Sequence, residues 1–316
     1  QVGNGSTIDR LFPARVRGGL AFSAIGAGGT NTCGVELAGA LYCWGSGLLE
    51  PNRSSPISIP GNPSVRSVAP SINSNTCAVT TADDAYCWGA NTQGQLGAGF
   101  TSIGSFTPLL VVGGLRFRSL GASNSTGFVC GVTTSNAAYC WGGLGWLGGS
   151  FGPDSVPVAV AGGISFTAAA AGGTLACGLS TSGAAYCWGD NSRGQLGNGS
   201  SGQSVTPTPV SGALTFTTLT IGDSHACALA TSGAAWCWGA NDSGQLGDGT
   251  TVSRSTPVPV VGGLSFSRIA AGYAHACALA TTGATYCWGD NSYGQLGNAT
   301  RVSSPTPVRV IDQPSP

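Results

Sequence analysis

The chain has 316 residues, 53 of them Gly and only 8% of them charged, and its twelve Arg are balanced by twelve acidic residues with no Lys at all. Gly at roughly 17% against a usual ~7%, with charge at about a third of the usual ~25%, describes a turn-rich β protein. The balance leaves no basic field to gather phosphate, which excludes nucleic acid as a partner; the longest apolar stretches, such as TPLLVVGGL, are short and Gly-broken, so no membrane span is expected.

In chain order, the first element is a tail of residues 1–11, and with no Met anywhere and Gln1 in first place the expectation is an exported chain whose leader has been removed. Pro13-Ala14-Arg15-Val16 follows, the first of seven Pro-x-x-Val elements. Next come GLAFSAIGAG (19–28), a strand whose small residues suit a crowded inner position, and a segment bounded by Cys33 and Cys43. That pair recurs at Cys77 and Cys87, Cys130 and Cys140, Cys177 and Cys187, Cys227 and Cys237, and Cys277 and Cys287, always with the same spacing. Successive pairs are 44, 53, 47, 50 and 50 residues apart, a period that signals propeller blades or a similar array.

Each segment between cysteines reads as a hairpin, with apolar alternation on either side of a turn such as Thr-Ser-Gly. A turn centred on Ser232 sets Cys227 opposite Cys237, Ala226 opposite Trp238 and Ala228 opposite Trp236. A one-residue slip would reverse every face, and the other units argue against it. The residues facing the ring before the second Cys are Gly34, Ala78, Gly131, Gly178, Ala228 and Ala278, all of them small. The ring-bearing face is expected to pack on the next blade. Opposed cysteines at the close spacing of a non-hydrogen-bonded pair can be bridged, which gives six intra-hairpin disulfides and an oxidising compartment. Six pairs of reduced, buried thiols are the alternative.

After each hairpin a loop of the type Asn-x-x-Gly-Gln-Leu-Gly leads to the Pro-x-x-Val element, present as PISI (56–59), PLLV, PVAV, PTPV, PVPV and PVRV (307–310). Alternate prolines are tolerated where the N–H side faces out, so this is the outermost of four strands, and it blunts the edge against unwanted pairing. The second unit departs upstream of its hairpin, reading NPSVRSVAPS.

HACALATSGAAWCWG-type hairpins followed by DNSYGQLG and STPVPV resemble the regulator of chromosome condensation repeat, over nearly all of the chain from Leu11 to Val310. The resemblance implies a closed β-propeller with one repeat per four-stranded blade. Its best-known eukaryotic members are seven-bladed nuclear guanine-nucleotide exchange factors; six hairpins, no basic patch and a cysteine-rich composition depart from them. A secreted bacterial relative, the propeller-type β-lactamase inhibitor protein, is a nearer precedent in compartment. The fold expected is therefore all-β, a six-bladed β-propeller of four-stranded antiparallel blades, occupying 12–310 as one domain between tails 1–11 and 311–316.

No catalytic constellation is found, and neither a metal nor a cofactor is expected. His225 and His275 occupy one repeat position, opposite Gly239 and Gly289, and Asp190, Asn191 and Ser192 only faintly resemble a calcium loop. Sequons at Asn4, Asn52, Asn124, Asn198, Asn241 and Asn298 leave glycan as an option. The divergent loops of units 1 and 3 offer Leu48, Leu49, Trp146 and Phe151 as interface candidates. Pro13, Val16, Pro307 and Val310 are candidates as well, because seven outer strands for six blades leave one spare to dock on a neighbouring molecule. The expected function is extracellular and non-enzymatic: a structural or protein-interaction module, with itself as partner, assembling as a filament or surface array. The alternatives are a secreted inhibitor or glycan-binding propeller and, remotely, an exchange factor.

Overall fold

Each Cys-bounded segment forms an antiparallel hairpin in the expected register. Cys33 faces Cys43 with Thr32 across from Trp44 and Gly34 across from Tyr42. The later hairpins repeat this arrangement, ending with Ala276 across from Trp288 and Ala278 across from Tyr286. The tight turn needs a left-handed residue six positions after the first Cys. Gly39, Gly183, Gly233 and Gly283 supply it, while Asp83 and Asn136, the side-chain-bearing types that best tolerate this conformation, serve at φ 66° and 68°.

Proline sets the ladder parity. Tyr186 pairs with Pro209 on the outer strand, and since Pro has no N–H this pair is not hydrogen-bonded; the neighbouring pair, Cys187 with Thr208, therefore is. On its other side Cys187 must then meet Cys177 in the close, non-hydrogen-bonded class. All six pairs are disulfides, with Cα atoms 4.0–4.1 Å apart, and no cysteine is left free.

This is a computed structural model describing residues 2–46, 53–59, 61, 64–71, 75–123, 126–143 and 154–311. Among the described residues are 24 strands and no helices, arranged as six four-stranded antiparallel sheets: the fold is a six-bladed β-propeller. The blades span 22–58, 65–110, 117–159, 166–209, 216–259 and 266–309. Each runs in sequence from an inner strand through the hairpin to the outer strand, and the C-terminal Pro-x-x-Val copy closes the sixth as its strand Ser304–Arg309. The chain divides into two compact units, 1–8 with 15–171 and 9–14 with 172–316.

Within the first unit the core lies between consecutive blades. The disulfides and Val79, Ala85 and Leu96 of blade 2 meet Phe117, Val129 and Trp141 of blade 3, and Cys33, Val35 and Leu41 of blade 1 meet Val65, Ala78 and Trp88 of blade 2. The second unit repeats this, with Cys227, Cys237 and Leu246 of blade 5 against Phe266, Ala276 and Trp288 of blade 6. The rings thus face the preceding blade and the disulfides the following one, which reverses the direction expected from the sequence. The reason is local: a Trp indole N–H reaches back to the loop of the blade before it. Trp141 Nε1 donates to the Gln95 carbonyl (3.2 Å), Trp238 Nε1 to Gln195 (3.1 Å) and Trp288 Nε1 to Gln245 (3.0 Å). The divergent segment of unit 2 still forms its inner strand, Val65–Pro70, with buried Val65 where other blades place Phe.

In the first four blades the inner strands approach closely enough at two glycines to leave no room for a side chain. A Cβ on Gly26 would stand 2.8 Å from the Val68 carbonyl of the next blade, and one on Gly121 would stand 3.0 Å from the Ala170 Cα. Gly at these two positions is thus a packing requirement.

Candidate interaction surfaces

The Asn-x-x-Gly-Gln loops are built to hold themselves. Asn191 is fully buried; its Nδ2 donates to the Ser200 and Gly202 carbonyls (3.0 Å each), and its Oδ1 accepts from the Leu196 N–H (2.9 Å). Asn241 and Asn291 repeat these bonds. In the same loop Asp190 accepts from the Ser192 hydroxyl (2.9 Å) and from Gln195 Nε2 (2.8 Å). Residues that faintly suggested a cation loop direct their oxygens inward, at the loop itself. Burial likewise removes one sequon: Asn241 has 0% exposure and its amide is fully engaged. Asn52 and Asn124 lie outside the described residues.

His225 and His275 pair with Gly239 and Gly289, as their repeat position requires. His225 is completely buried. Desolvation, with the neighbouring His275 charge second, lowers its pKa to about 3, so it is a neutral core residue at any ordinary pH. Burial also lowers His275, against the pull of Asp290. Repeat logic confirms the packing role, since Leu175 fills the same place in blade 4, opposite Gly189.

The sequence-derived interface residues are dispersed. Leu48, Leu49, Trp146 and Phe151 lie outside the described residues. Pro307 belongs to the outer strand of blade 6, and Val310 follows it, its N–H donating to the Thr285 carbonyl (2.9 Å). Pro13 is exposed and Val16 half-buried, and both fall outside the six sheets. Two of the four are brought together: a Cβ on Gly297 would be 3.1 Å from Val310 Cγ1 and 3.8 Å from Pro13 Cδ.

Among the described residues, the densest run in sequence of exposed large apolar side chains lies elsewhere, on the rim of blade 2. Phe100 (50% exposed), Ile103 (92%), Phe106 (74%) and Leu110 (51%) crowd eleven residues of its loop and outer strand. Where blade 2 has Phe100, whose carbonyl accepts from Asn91 Nδ2, blade 4 has Ser200, whose carbonyl accepts from Asn191 Nδ2. Phe106 follows Ser105 as Val205 follows Ser204, the serines being paired with Gly89 and Gly189. The sequence did carry this signal, as large apolar residues at positions that are polar or smaller in sister repeats, but the regular Asn-x-x-Gly-Gln-Leu-Gly start of this loop concealed it.

The sequence model of the regulator of chromosome condensation (RCC1) repeat matches residues 182–229, 232–279 and 282–315, and a second model of that repeat matches 160–195, 216–245 and 266–295. No curated protein sequence matches closely enough to count as a relative. Among solved structures, human WBSCR16 is similar at 20% identity and a TM-score of 0.83, over 96% of this chain and 84% of that one. Yeast RCC1 (Prp20), solved bound to Kap60, is similar at 18% identity and a TM-score of 0.78, over 91% and 74%. The CRINKLY WD40 ectodomain of the Arabidopsis thaliana receptor kinase ACR4 is similar at 20% identity and a TM-score of 0.57, over 88% and 83%. At these identities the likeness is one of fold.

Proposed function

Because residues 160–315 match the regulator of chromosome condensation repeat and the fold is that repeat's propeller, we propose that the chain acts as a non-enzymatic, extracellular protein-interaction module whose partner is a second copy of itself, met through the apolar rim of blade 2. The observation that carries this reading is the exposure of Phe100, Ile103, Phe106 and Leu110 side by side in sequence on one blade. Several large apolar side chains left exposed close together in sequence are unusual outside association sites. The compartment is supported by a disulfide in every blade, a pattern that persists where thiols are not kept reduced. A protein-binding role agrees with the yeast relative, described as binding Kap60 and studied for its binding to Gsp1p and histones. No helix among the described residues is long and apolar enough to cross a membrane. In this reading residues 12–310 work as one domain between the two tails.

The test is sedimentation of the native, non-reduced protein beside a variant carrying Phe100→Ser, Ile103→Gln and Phe106→Val, the residues found at these places in blade 4. The wild type is expected to run above the 31.2 kDa monomer and the variant at it. A monomeric wild type, or a variant that associates as well as the wild type, overturns the reading.

A further inference from the structure

Asparagine serves two purposes in the loops that follow the hairpins. In blade 4 the buried Asn191 spends its amide nitrogen on the Ser200 and Gly202 carbonyls. Later in the same loop Asn198, which opens the sequon Asn198-Gly199-Ser200, is used through its oxygen alone. Its Oδ1 accepts from the Ser200 N–H (3.1 Å), the Ser200 hydroxyl (2.9 Å) and Asn191 Nδ2 (3.3 Å). Asn298, in Asn298-Ala299-Thr300 of blade 6, repeats the arrangement, accepting from the Thr300 N–H (3.2 Å), the Thr300 hydroxyl (2.8 Å) and Asn291 Nδ2 (3.1 Å). Neither Nδ2 donates to any group among the described residues.

Blade 5 shows that the loop has no use for that nitrogen. Asp248 stands at the same place, and one of its carboxylate oxygens accepts the same three bonds, from the Thr250 N–H (3.0 Å), the Thr250 hydroxyl (2.7 Å) and Asn241 Nδ2 (3.2 Å). An oxygen is what the position requires. The surroundings are open as well. Asn198 and Asn298 are half-buried, residues 199–203 and 300–303 beside them are exposed, and a Cβ on Gly202 would meet nothing within 4 Å.

The sequon Asn241-Asp242-Ser243 is the opposite case. Asn241 is 0% exposed, and its Nδ2 donates to the Thr250 carbonyl (3.0 Å) and the Val252 carbonyl (3.1 Å). Three sequons in sister blades thus differ in the one atom that a sugar would take.

We propose that Asn198 and Asn298 are sites of N-linked glycosylation and that Asn241 is not. In the step, Nδ2 bonds to the anomeric carbon of an oligosaccharide carried on a lipid diphosphate. The bond from that carbon to the diphosphate oxygen breaks, the lipid diphosphate leaves, and one amide proton passes to a base of the transferring enzyme. The linked amide keeps its carbonyl oxygen, so the three bonds accepted by Oδ1 survive. Transfer meets the chain as it is made, and folding then decides which linkages are tolerated. At Asn241 the linkage would displace the nitrogen from two carbonyls and force a sugar into closed packing. The proposal rests on the extracellular part of the reading above and is independent of the rim. Blade 2 has Ala98 between the same two glycines, so its apolar rim stays bare of sugar.

The test passes the whole chain, behind a leader, through the secretory pathway of a host that makes N-linked sugar. The folded, disulfide-bonded product is isolated, then unfolded and treated with peptide N-glycosidase in heavy-oxygen water, which turns each sugar-bearing Asn into a labelled Asp. Peptide mass spectrometry reads every sequon separately. Label is expected at Asn198 and Asn298, with Asn241 lower by about tenfold or more. The double variant Asn198→Asp, Asn298→Asp carries the residue of blade 5 at both places and is expected to unfold at the urea midpoint of the sugar-free wild type. A folded product unlabelled at either site, label at Asn241 equal to that at Asn198, or a double variant with a lowered midpoint overturns the proposal. Sedimentation of sugar-free protein still reads the rim alone, so the two proposals fail separately.

Discussion

The surface buried between blades 5 and 6 and the open rim of blade 2 are cut from one repeat and obey opposite rules. Between the blades, Trp288 packs on Leu246, the Cys227–Cys237 disulfide and Ala235, its indole N–H satisfied by Gln245. Trp occurs at that place in all six hairpins. On the rim the position of Phe106 is filled by Ser155, Val205, Ser255 and Pro305 in other blades. The difference teaches where the repeat is constrained. A ring that fills a closed volume and donates a hydrogen bond has one solution, whereas an outward side chain on an outer strand is free to serve association.

The sharpest way to break the comparison is to empty one interblade site. Trp238→Ala deletes a fully buried ring and leaves the Gln195 carbonyl without its indole donor. Large-to-small changes of this type cost about 3–5 kcal/mol. Urea unfolding, with amide exchange to localise the loss to blades 4 and 5, checks it; a midpoint unmoved from the wild type would mean that the interblade contact is not the constrained one.

Next in size is the staple itself. Cys227→Ala with Cys237→Ala opens a bridge of sequence separation 10, which the chain-entropy account values at about 2–3 kcal/mol. Because neighbours stack in series, the effect should appear first as faster exchange in blade 5 and at its contacts with blade 6. Uniform loosening of every blade would contradict that locality.

Sequence pattern carried the fold a long way, for identifiable reasons. The fixed Cys spacing and the small residue opposite each ring leave only one register, so hairpins, disulfides and outer strands were all readable from residues such as Gly34, Gly131 and Ala228. Which neighbour Trp238 would face was not readable, because alternation separates two faces without saying which blade lies on which. That choice is made by the Gln195 carbonyl, a backbone group invisible to pattern. At the N-terminus Pro13 and Val16 were visible as a repeat element. The interface candidates taken from unusual loops fell on Leu48, Leu49, Trp146 and Phe151, and the rim residues Phe100, Ile103 and Phe106 were missed because the loop of unit 2 keeps the Asn-x-x-Gly-Gln-Leu-Gly pattern from Asn91 and so did not stand out.

Acid sharpens the comparison from inside. A buried His with its pKa lowered from 6.5 to about 3 takes up its proton more readily in the unfolded chain, so its contribution to stability is full above pH 6.5 and is lost as pH falls toward 3. The slope is at most about 1.4 kcal/mol per pH unit, or about 2 kcal/mol by pH 5. Asp248 and Asp290 lose stability in acid as well: burial opposes their charge, but hydrogen bonds, from Thr250, Arg254 and Asn241 to the first and from Ser292 and Gln295 to the second, hold both below the usual range. Subtracting the profile of His225→Leu, a residue already accommodated as Leu175 in blade 4, isolates the imidazole. If both proteins lose stability equally between pH 6.5 and 5, His225 is not buried neutral.

The smallest expected effect on stability falls on the rim, and there its smallness is the point. Phe100→Ser, Ile103→Gln and Phe106→Val replace exposed side chains by those of a sister blade, and each should shift the unfolding midpoint by no more than about 0.5 kcal/mol. Sedimentation of the same variants reads their association. A rim that contributes nothing to folding yet controls particle size is under selection for contact, while a rim whose loss destabilises the blade is only core that the repeat has left uncovered. Equal measurements on Trp238→Ala and on the rim variants therefore separate the two surfaces by their physics: stability lost with the first, assembly lost with the second.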